Sequence, residues 1–234
     1  MLISVFSPKG GVGKTTLALA FAEVISQKQK VCIIEFDFSP GDFSAILDLD
    51  ITKNVLLATK YNFNDNVQRP AGAKYDVIVG GFPDAHEQIP KDEFDRMVRR
   101  VEEKYDVVLV DIQPGFIERA IDVLNRSDII LLISEDDYRV AARINGFLDW
   151  IMVNNINKAE NFFFIVNRKR DKEIKYLDKM QNALPIFYTV PFIKNLESHT
   201  DKRLEKHVKA MYDKIVQAYN THAAEILQPE TGGQ

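Results

Sequence analysis

A single cysteine, Cys32, stands in the 234 residues, which excludes an intramolecular disulfide framework and favours a reducing compartment. Its place within an apolar strand pattern assigns it to the core. Histidine is nearly as scarce. His86, His199, His207 and His222 are scattered without the spacing of a metal-ligand set and read as surface residues. Long hydrophobic runs are missing too. The longest, such as Ile129 to Ile133, fall far short of the roughly 20 residues a membrane-spanning helix needs. There is no basic excess, with 30 Lys and Arg against 34 Asp and Glu, a net charge of −4 and a pI near 5.7. No global basic field therefore draws the chain to nucleic acid or anionic lipid, although local patches remain open. No basic segment precedes the apolar start, so no signal peptide is expected. Cytoplasmic localisation is the expectation.

What the chain does contain is alternation. Apolar strand-like runs alternate with helical patterns, the signal of a parallel sheet covered on both faces. Strands are expected at Leu2 to Phe6, Val31 to Phe36, Asp76 to Val79, Val107 to Val110, Ile129 to Ile133, Phe162 to Val166 and Ile186 to Val190. Helices are expected from Lys14 to about Lys28, from Pro90 onward with Phe94, Met97, Val98 and Val101 on one face, and after Asp111 to about Leu124. Two more follow, from about Arg139 to Val153 and from Lys202 to Leu227. Trp150, with Phe147 and Ile151, reads as a packed helix face. Thr52 to Lys74 reads as a loop-rich surface excursion. The spacing predicts one domain over residues 1–227 and a disordered tail over 228–234.

Between the first strand and first helix lies Lys9-Gly10-Gly11-Val12-Gly13-Lys14-Thr15-Thr16, the context a phosphate-binding P-loop requires. Glycines let the backbone wrap round phosphates with N–H groups turned inward, and the helix adds its positive end. Lys14 is expected on the β- and γ-phosphates, the Thr15 hydroxyl on Mg²⁺, and Thr16 near the α-phosphate. Pro8 occupies the first glycine position of the pattern and removes one N–H. Two acids follow strands, where an α/β sheet binds its ligands. Asp37, in Glu35-Phe36-Asp37-Phe38-Ser39-Pro40-Gly41-Asp42, is the candidate for holding a metal-bound or attacking water. Asp111, at the end of Val107-Val108-Leu109-Val110, is the candidate for Mg²⁺, reached through a water. Glu35 reads as a cap or a loop-solvating acid, and Asp42 as the cap of a helix beginning near Phe43.

With Lys9 five residues before Lys14, the motif resembles the deviant P-loop of the ParA/MinD superfamily, the SIMIBI-class ATPases. The resemblance covers the whole chain. It implies a P-loop NTPase fold, a Rossmann-like three-layer α/β architecture with a mostly parallel central sheet. It also implies an ATPase in which Lys9 reaches across a dimer interface toward the partner's phosphates, so that two chains sandwich two ATP molecules. Glu35 to Gly41 resembles the family's D-x-D-x-x-x-G switch I segment, and Asp111-Ile112-Gln113-Pro114-Gly115 its Walker B and switch II, with Gly115 offering an N–H to the γ-phosphate. Phe163-Phe164-Ile165-Val166-Asn167-Arg168 looks like the base-recognition segment, in which Asn167 reads adenine. Pro191-Phe192 resembles the segment on the base's other side. Arg168 is read either with the base or as a surface residue. Tyr138 to Arg143 resembles a helix start near the family's dimer interface, or else a solvated face. The switch I run from Asp37 to Leu49 looks closest to the CpaE/TadZ-like branch.

These readings imply a Mg²⁺-dependent, ATP-gated dimeric switch that positions a cellular cargo, in partition or in pilus or secretion-apparatus localisation. The alternative is a nucleotide-binding dimeric scaffold with little hydrolysis. The expected partners are a second copy of the chain on ATP binding and a protein adaptor or activator. Lys202, Arg203, Lys206, Lys209 and Lys214 form either a strip for non-specific DNA or a solvated helix face. Val208, Met211, Ile215, Tyr219 and Ile226 read as a packing face, and Gln228 to Gln234 carries no basic residue. No autonomous membrane binding is expected.

Overall fold

The computed structural model describes residues 1–36, 41–82, 89, 91–114, 118–153, 162–177 and 185–227. Asp37, His86, Gly115 and the tail over 228–234 lie outside the described residues. Seven strands are described, β1 (Leu2–Phe6), β2 (Val31–Phe36), β3 (Asp76–Ile78), β4 (Val107–Ile112), β5 (Ile129–Ser134), β6 (Phe162–Lys169) and β7 (Ile186–Pro191). They form one sheet in the order β3-β2-β4-β1-β5-β6-β7, and every pairing is parallel. Every residue of β1, β2, β4 and β5 is buried. That explains why these strands read as continuous apolar runs rather than as alternations.

The helices supply the two covering layers. They are α1 (Lys14–Ile25), α2 (Phe43–Leu47), α3 (Val55–Lys60), α4 (Lys91–Lys104), α5 (Glu118–Arg126), α6 (Tyr138–Val153) and α7 (Lys202–Leu227). On α4, the expected face of Phe94, Met97, Val98 and Val101 is buried. On α7, Leu204, Val208, Met211 and Ile215 recur at helical spacing and are buried, where α7 packs on α1. Tyr212 adds an edge contact to Phe21, with ring centroids 6.4 Å apart, and its hydroxyl donates to Gln29 Oε1 at 2.9 Å. Burying each of the larger aliphatic side chains contributes about 1.5–3 kcal/mol, so the apolar stripe of α7 is spent on the domain. Phe147 is fully buried and stacks at a tilt on Trp150, 5.9 Å between centroids, so this face is packed as expected. Cys32 is likewise buried, and burial pushes its thiol pKa far above the ordinary value, making it inert.

The stretch from Thr52 to Lys74 corrects the reading of it as a surface excursion. It holds α3, whose first turn is capped by the Asn54 side chain accepting from Leu57 N at 3.2 Å, and a 3₁₀ turn over Phe63–Asp65. Val55, Ala58 and Phe63 are buried in the core. Gln68 staples the segment, accepting from Asp50 N at 2.9 Å and donating to the carbonyls of Asp50 and Lys53 at 2.8 and 3.1 Å. Three core contacts spread through polar residues are too few to register as a periodic pattern.

Candidate functional site

Parallel β-α connections bring the loops after β1, β2, β4, β6 and β7 to one edge of the sheet. β1 lies at its centre, between β4 and β5. The chain builds outward on the β4 side first and on the β5 side afterwards. The carboxyl edge beside β1 is thus the switch point where α/β sheets take ligands.

The loop from Lys9 to Gly13 leaves β1 there and runs into α1. Gly13 is its hinge, with φ +87°, a left-handed conformation that side-chain-bearing residues resist. Lys14 is the first residue of α1 and is buried, while Thr15 and Thr16 are half-buried in the first turn. Two residues of β6 hold this loop from beyond. Asn167, buried, donates from Nδ2 to the Val12 carbonyl at 2.8 Å. Arg168 donates from Nη1 to the Gly11 carbonyl at 2.8 Å, and the same nitrogen lies 3.0 Å from Glu135 Oε1. Arg168 itself takes φ +53°, at a register shift where β6 pairs with β7. It is therefore more than a surface residue. A Cβ on Gly13 would stand 2.5 Å from Asn167 Nδ2, so the absent side chain is what lets β6 close on the loop. On the other flank, a Cβ on Gly10 would stand 3.5 Å from the Pro114 ring, so the segment after β4 lies against the loop.

The expected base-binding residues gather in one cleft of about 690 Å³, lined by Thr16, Asn167, Arg168, Pro191, Phe192 and, farther out, His199. This size suits a nucleotide-like ligand. Arg170 stacks on the Phe192 ring, 3.7 Å from its centroid, bracing the outer wall. Asn167 retains by its chemistry a second N–H and an acceptor oxygen, the pair a nucleobase edge needs. His199 departs from the surface reading. It is half-buried, its Nε2 lies 3.4 Å from the Tyr75 hydroxyl, and burial lowers its pKa.

The acids divide differently from expectation. Asp111 is 3% exposed, is paired in register with Val5 of β1 and Glu35 of β2, and stands beside the loop as expected. Its carboxylate and the Thr15 hydroxyl are hard oxygen donors of the kind that Mg²⁺ selects. Asp42 does not cap α2, since its side chain makes no cap hydrogen bond. Glu35 takes that role from across the loop, accepting from Phe43 N at 2.9 Å. Burial raises the Glu35 carboxyl to about pH 7, with Asp111's charge adding to the rise, while N–H donors from Gly80, Phe43 and Asp42 oppose it. Of the two readings of Glu35, a cap or a loop-solvating acid, the cap is the one found, eight residues along the chain from the N–H it accepts.

Lys9 points to its own chain. Its Nζ lies 3.6 Å from Asp137 Oδ1, a long contact between two partly exposed side chains. Asp137 also caps α6, accepting from Arg139 N at 3.0 Å. Asp136 accepts from the backbone N–H groups of Lys175, Tyr176 and Leu177 at 2.7, 2.8 and 3.1 Å. Sequence reasoning passed over Glu135-Asp136-Asp137, whose signal was three acids directly after a buried strand. Each holds a different element: Asp137 holds the loop at Lys9, and Glu135 holds Arg168, which in turn grips the loop at Gly11.

A family model described as an AAA domain matches residues 1–164. An uncharacterised ATP-binding protein of Methanocaldococcus jannaschii is 28% identical over 123 residues, 50% of this chain and 46% of that protein. The chain thus spans about half the length of that relative. Among solved structures, a ParA family ATPase from Chlorobium tepidum superposes with a TM-score of 0.76 at 17% identity, covering 89% of this chain and 97% of that one. The Pyrococcus furiosus cell division ATPase MinD gives 0.76 at 16% identity, over 92% and 98%. At these identities the superpositions establish the fold.

Proposed function

The chain belongs to the AAA-domain family matched over residues 1–164 and has the fold of ParA and MinD ATPases, and from this we propose that it is a Mg²⁺-dependent ATPase working as an ATP-gated dimeric switch. One observation carries the reading. A P-loop with Lys14 buried at the head of α1 is gripped by Asn167 and Arg168, so the phosphate and base ends of one cleft are built as a unit. Lys14 contacts the β- and γ-phosphates, Thr16 the α-phosphate region, and Asn167, Arg168, Pro191 and Phe192 the base. Thr15 and Asp111 would hold Mg²⁺, and Asp37, which lies outside the described residues, is assigned to orient the attacking water. Bound there, the metal neutralises charge on the transferred phosphoryl group.

Lys9 supplies the dimer step. Ion pairs open to water contribute little, and this one is long and partly exposed, so its pairing with Asp137 leaves Lys9 able to move to a partner's phosphates. The cargo belongs to the same proposal: a partition, division or pilus-type apparatus reached through a protein adaptor. For the α7 strip the contacts favour a solvated face over DNA. Lys202 pairs with Glu205 at 2.6 Å. Arg203 pairs with Asp201 at 2.6 Å and donates to the carbonyls of Lys194 and Asn195. Among the described residues no helix is long and apolar enough to cross a membrane, and the α7 stripe of Leu204, Val208, Met211 and Ile215 is buried in the domain.

The test is phosphate release by the purified chain with Mg-ATP, alongside its solution mass with ATP and with ADP. Turnover together with a mass that doubles only in ATP is expected. Doubling without turnover would favour the scaffold reading. Neither would overturn the switch.

A further inference from the structure

Glu35 is the penultimate residue of β2, is 2% exposed, and serves two other chain segments at once. Oε1 accepts from Phe43 N, at the start of α2. Oε2 accepts from Gly80 N at 2.8 Å, just beyond β3. Gly41 packs so closely on the carboxylate that a Cβ there would overlap it. The next residue, Phe36, is tied to the segment after β4 through its carbonyl, which accepts from Gln113 N at 2.9 Å. With two oxygens, the carboxyl can accept from both segments simultaneously. An aspartate, one methylene shorter, would not span the same gap.

We infer that Glu35 is a positioning residue for the hydrolytic site, fixing the described ends of the β2–α2 connection, Phe36 and Gly41 to Phe43, against the exit of β3 and beside Asp111. The inference rests on the reading of this edge as an ATPase site. A division of labour follows from the elements involved. The groups assigned to nucleotide binding stand on the P-loop, α1, β6 and β7, none of which Glu35 touches through these hydrogen bonds. Disturbing Glu35 should therefore impair turnover while sparing affinity.

Glu35→Gln keeps the shape but presents an N–H₂ to one of the two amides, and Gly41→Ala pushes the carboxylate aside. In both, kcat should fall on the order of 10- to 100-fold, the scale of small misplacements. The Kd for Mg-ADP should stay within about twofold. Amide hydrogen exchange at Phe43 or Gly80 should accelerate while protection of β1 and β5 amides persists. Glu35→Asp in the Gly41→Ala background makes room for the new methyl group but cannot reach both amides, so turnover should stay low while protection of the β1 and β5 amides persists. Normal kcat in Glu35→Gln, or unchanged exchange at both amides, overturns the inference. So does a parallel loss of affinity, turnover and core protection, which would make Glu35 a general packing residue. Absence of turnover in the unmodified chain would instead refute the ATPase reading, and the exchange measurement would then decide the role of Glu35 by itself.

Discussion

Gly13→Ala probes the junction on which the proposed function depends. The residue sits at φ +87°, where an L-side chain costs about 1–2 kcal/mol. Its new Cβ would also stand 2.5 Å from Asn167 Nδ2, too close for both to remain. Asn167 is buried, so moving it breaks its bond to the Val12 carbonyl and leaves polar groups poorly satisfied, a further ~1–2 kcal/mol. The total of roughly 2–4 kcal/mol corresponds to a fall of about 4–16 °C in melting temperature for a chain of this size. Thermal unfolding of Gly13→Ala, Asn167→Ala and the double variant forms a cycle that isolates the contact. Removing the amide relieves the collision, so the double variant should be more stable than the sum of the single losses predicts, by about 1 kcal/mol or more. Single losses that add to within about 0.5 kcal/mol would show that Asn167 does not press on the loop. The packing argument for a joined phosphate and base site would then fail.

Lys14→Ala removes the buried ammonium at the head of α1 and should abolish ATP binding in calorimetry; unchanged affinity would sink the P-loop assignment. Lys9→Ala should leave nucleotide affinity nearly intact while ATP-dependent mass doubling or turnover disappears, and a variant that still doubles and hydrolyses normally would refute the sandwich. Asp37→Ala should slow phosphate release and prolong the ATP-bound dimer, whereas hydrolysis at the parent rate would exclude its water-orienting role. Burial holds the His199 pKa below 6.5, so the unfolded chain takes up this proton first as pH falls. The stability contributed by neutral His199 is then complete above about pH 6.5 and lost as the pH falls toward the lower folded value. His199→Gln should flatten the decline in melting temperature between pH 7 and 5, and an unaltered decline would show that other groups set it.

What was legible in the sequence is what depends on neighbours along the chain. Fully buried parallel strands produce runs such as Ile129 to Ile133, and glycines followed by Lys14 and two threonines identify a phosphate loop by spacing alone. The sheet's strand order placed Asp111, Asn167 and Pro191 at the same edge as that loop, as their positions after strands implied. Local reasoning failed where a side chain serves a distant segment. Asn167 lies 155 residues from the carbonyl it binds, Arg168 lies 157 residues from its own, and Glu35 reaches 45 residues to Gly80. Asp42 illustrates the cost of arguing only nearby: it has the right residue type for a cap, yet the cap comes from Glu35.

These long-range contacts share one geometric consequence. Lys9 and Gly11, two residues apart on the P-loop, are both tied to the turn between β5 and α6, Lys9 directly through Asp137 and Gly11 through Arg168 and Glu135. The intervening Asp136 grips the backbone at Lys175 to Leu177, beside which the exposed rings of Tyr138 and Tyr176 meet with centroids 6.3 Å apart. If Lys9 leaves for a partner's phosphates, Asp137 keeps its cap on α6 through backbone N–H groups, and Arg168 still holds Glu135. The turn therefore has reason to stay in place while the lysine moves. Under the proposed function, a turn held by Asp136 and Arg168 while Lys9 is released would let the loop exchange a contact within the chain for one across a dimer without remodelling the sheet edge assigned to the nucleotide.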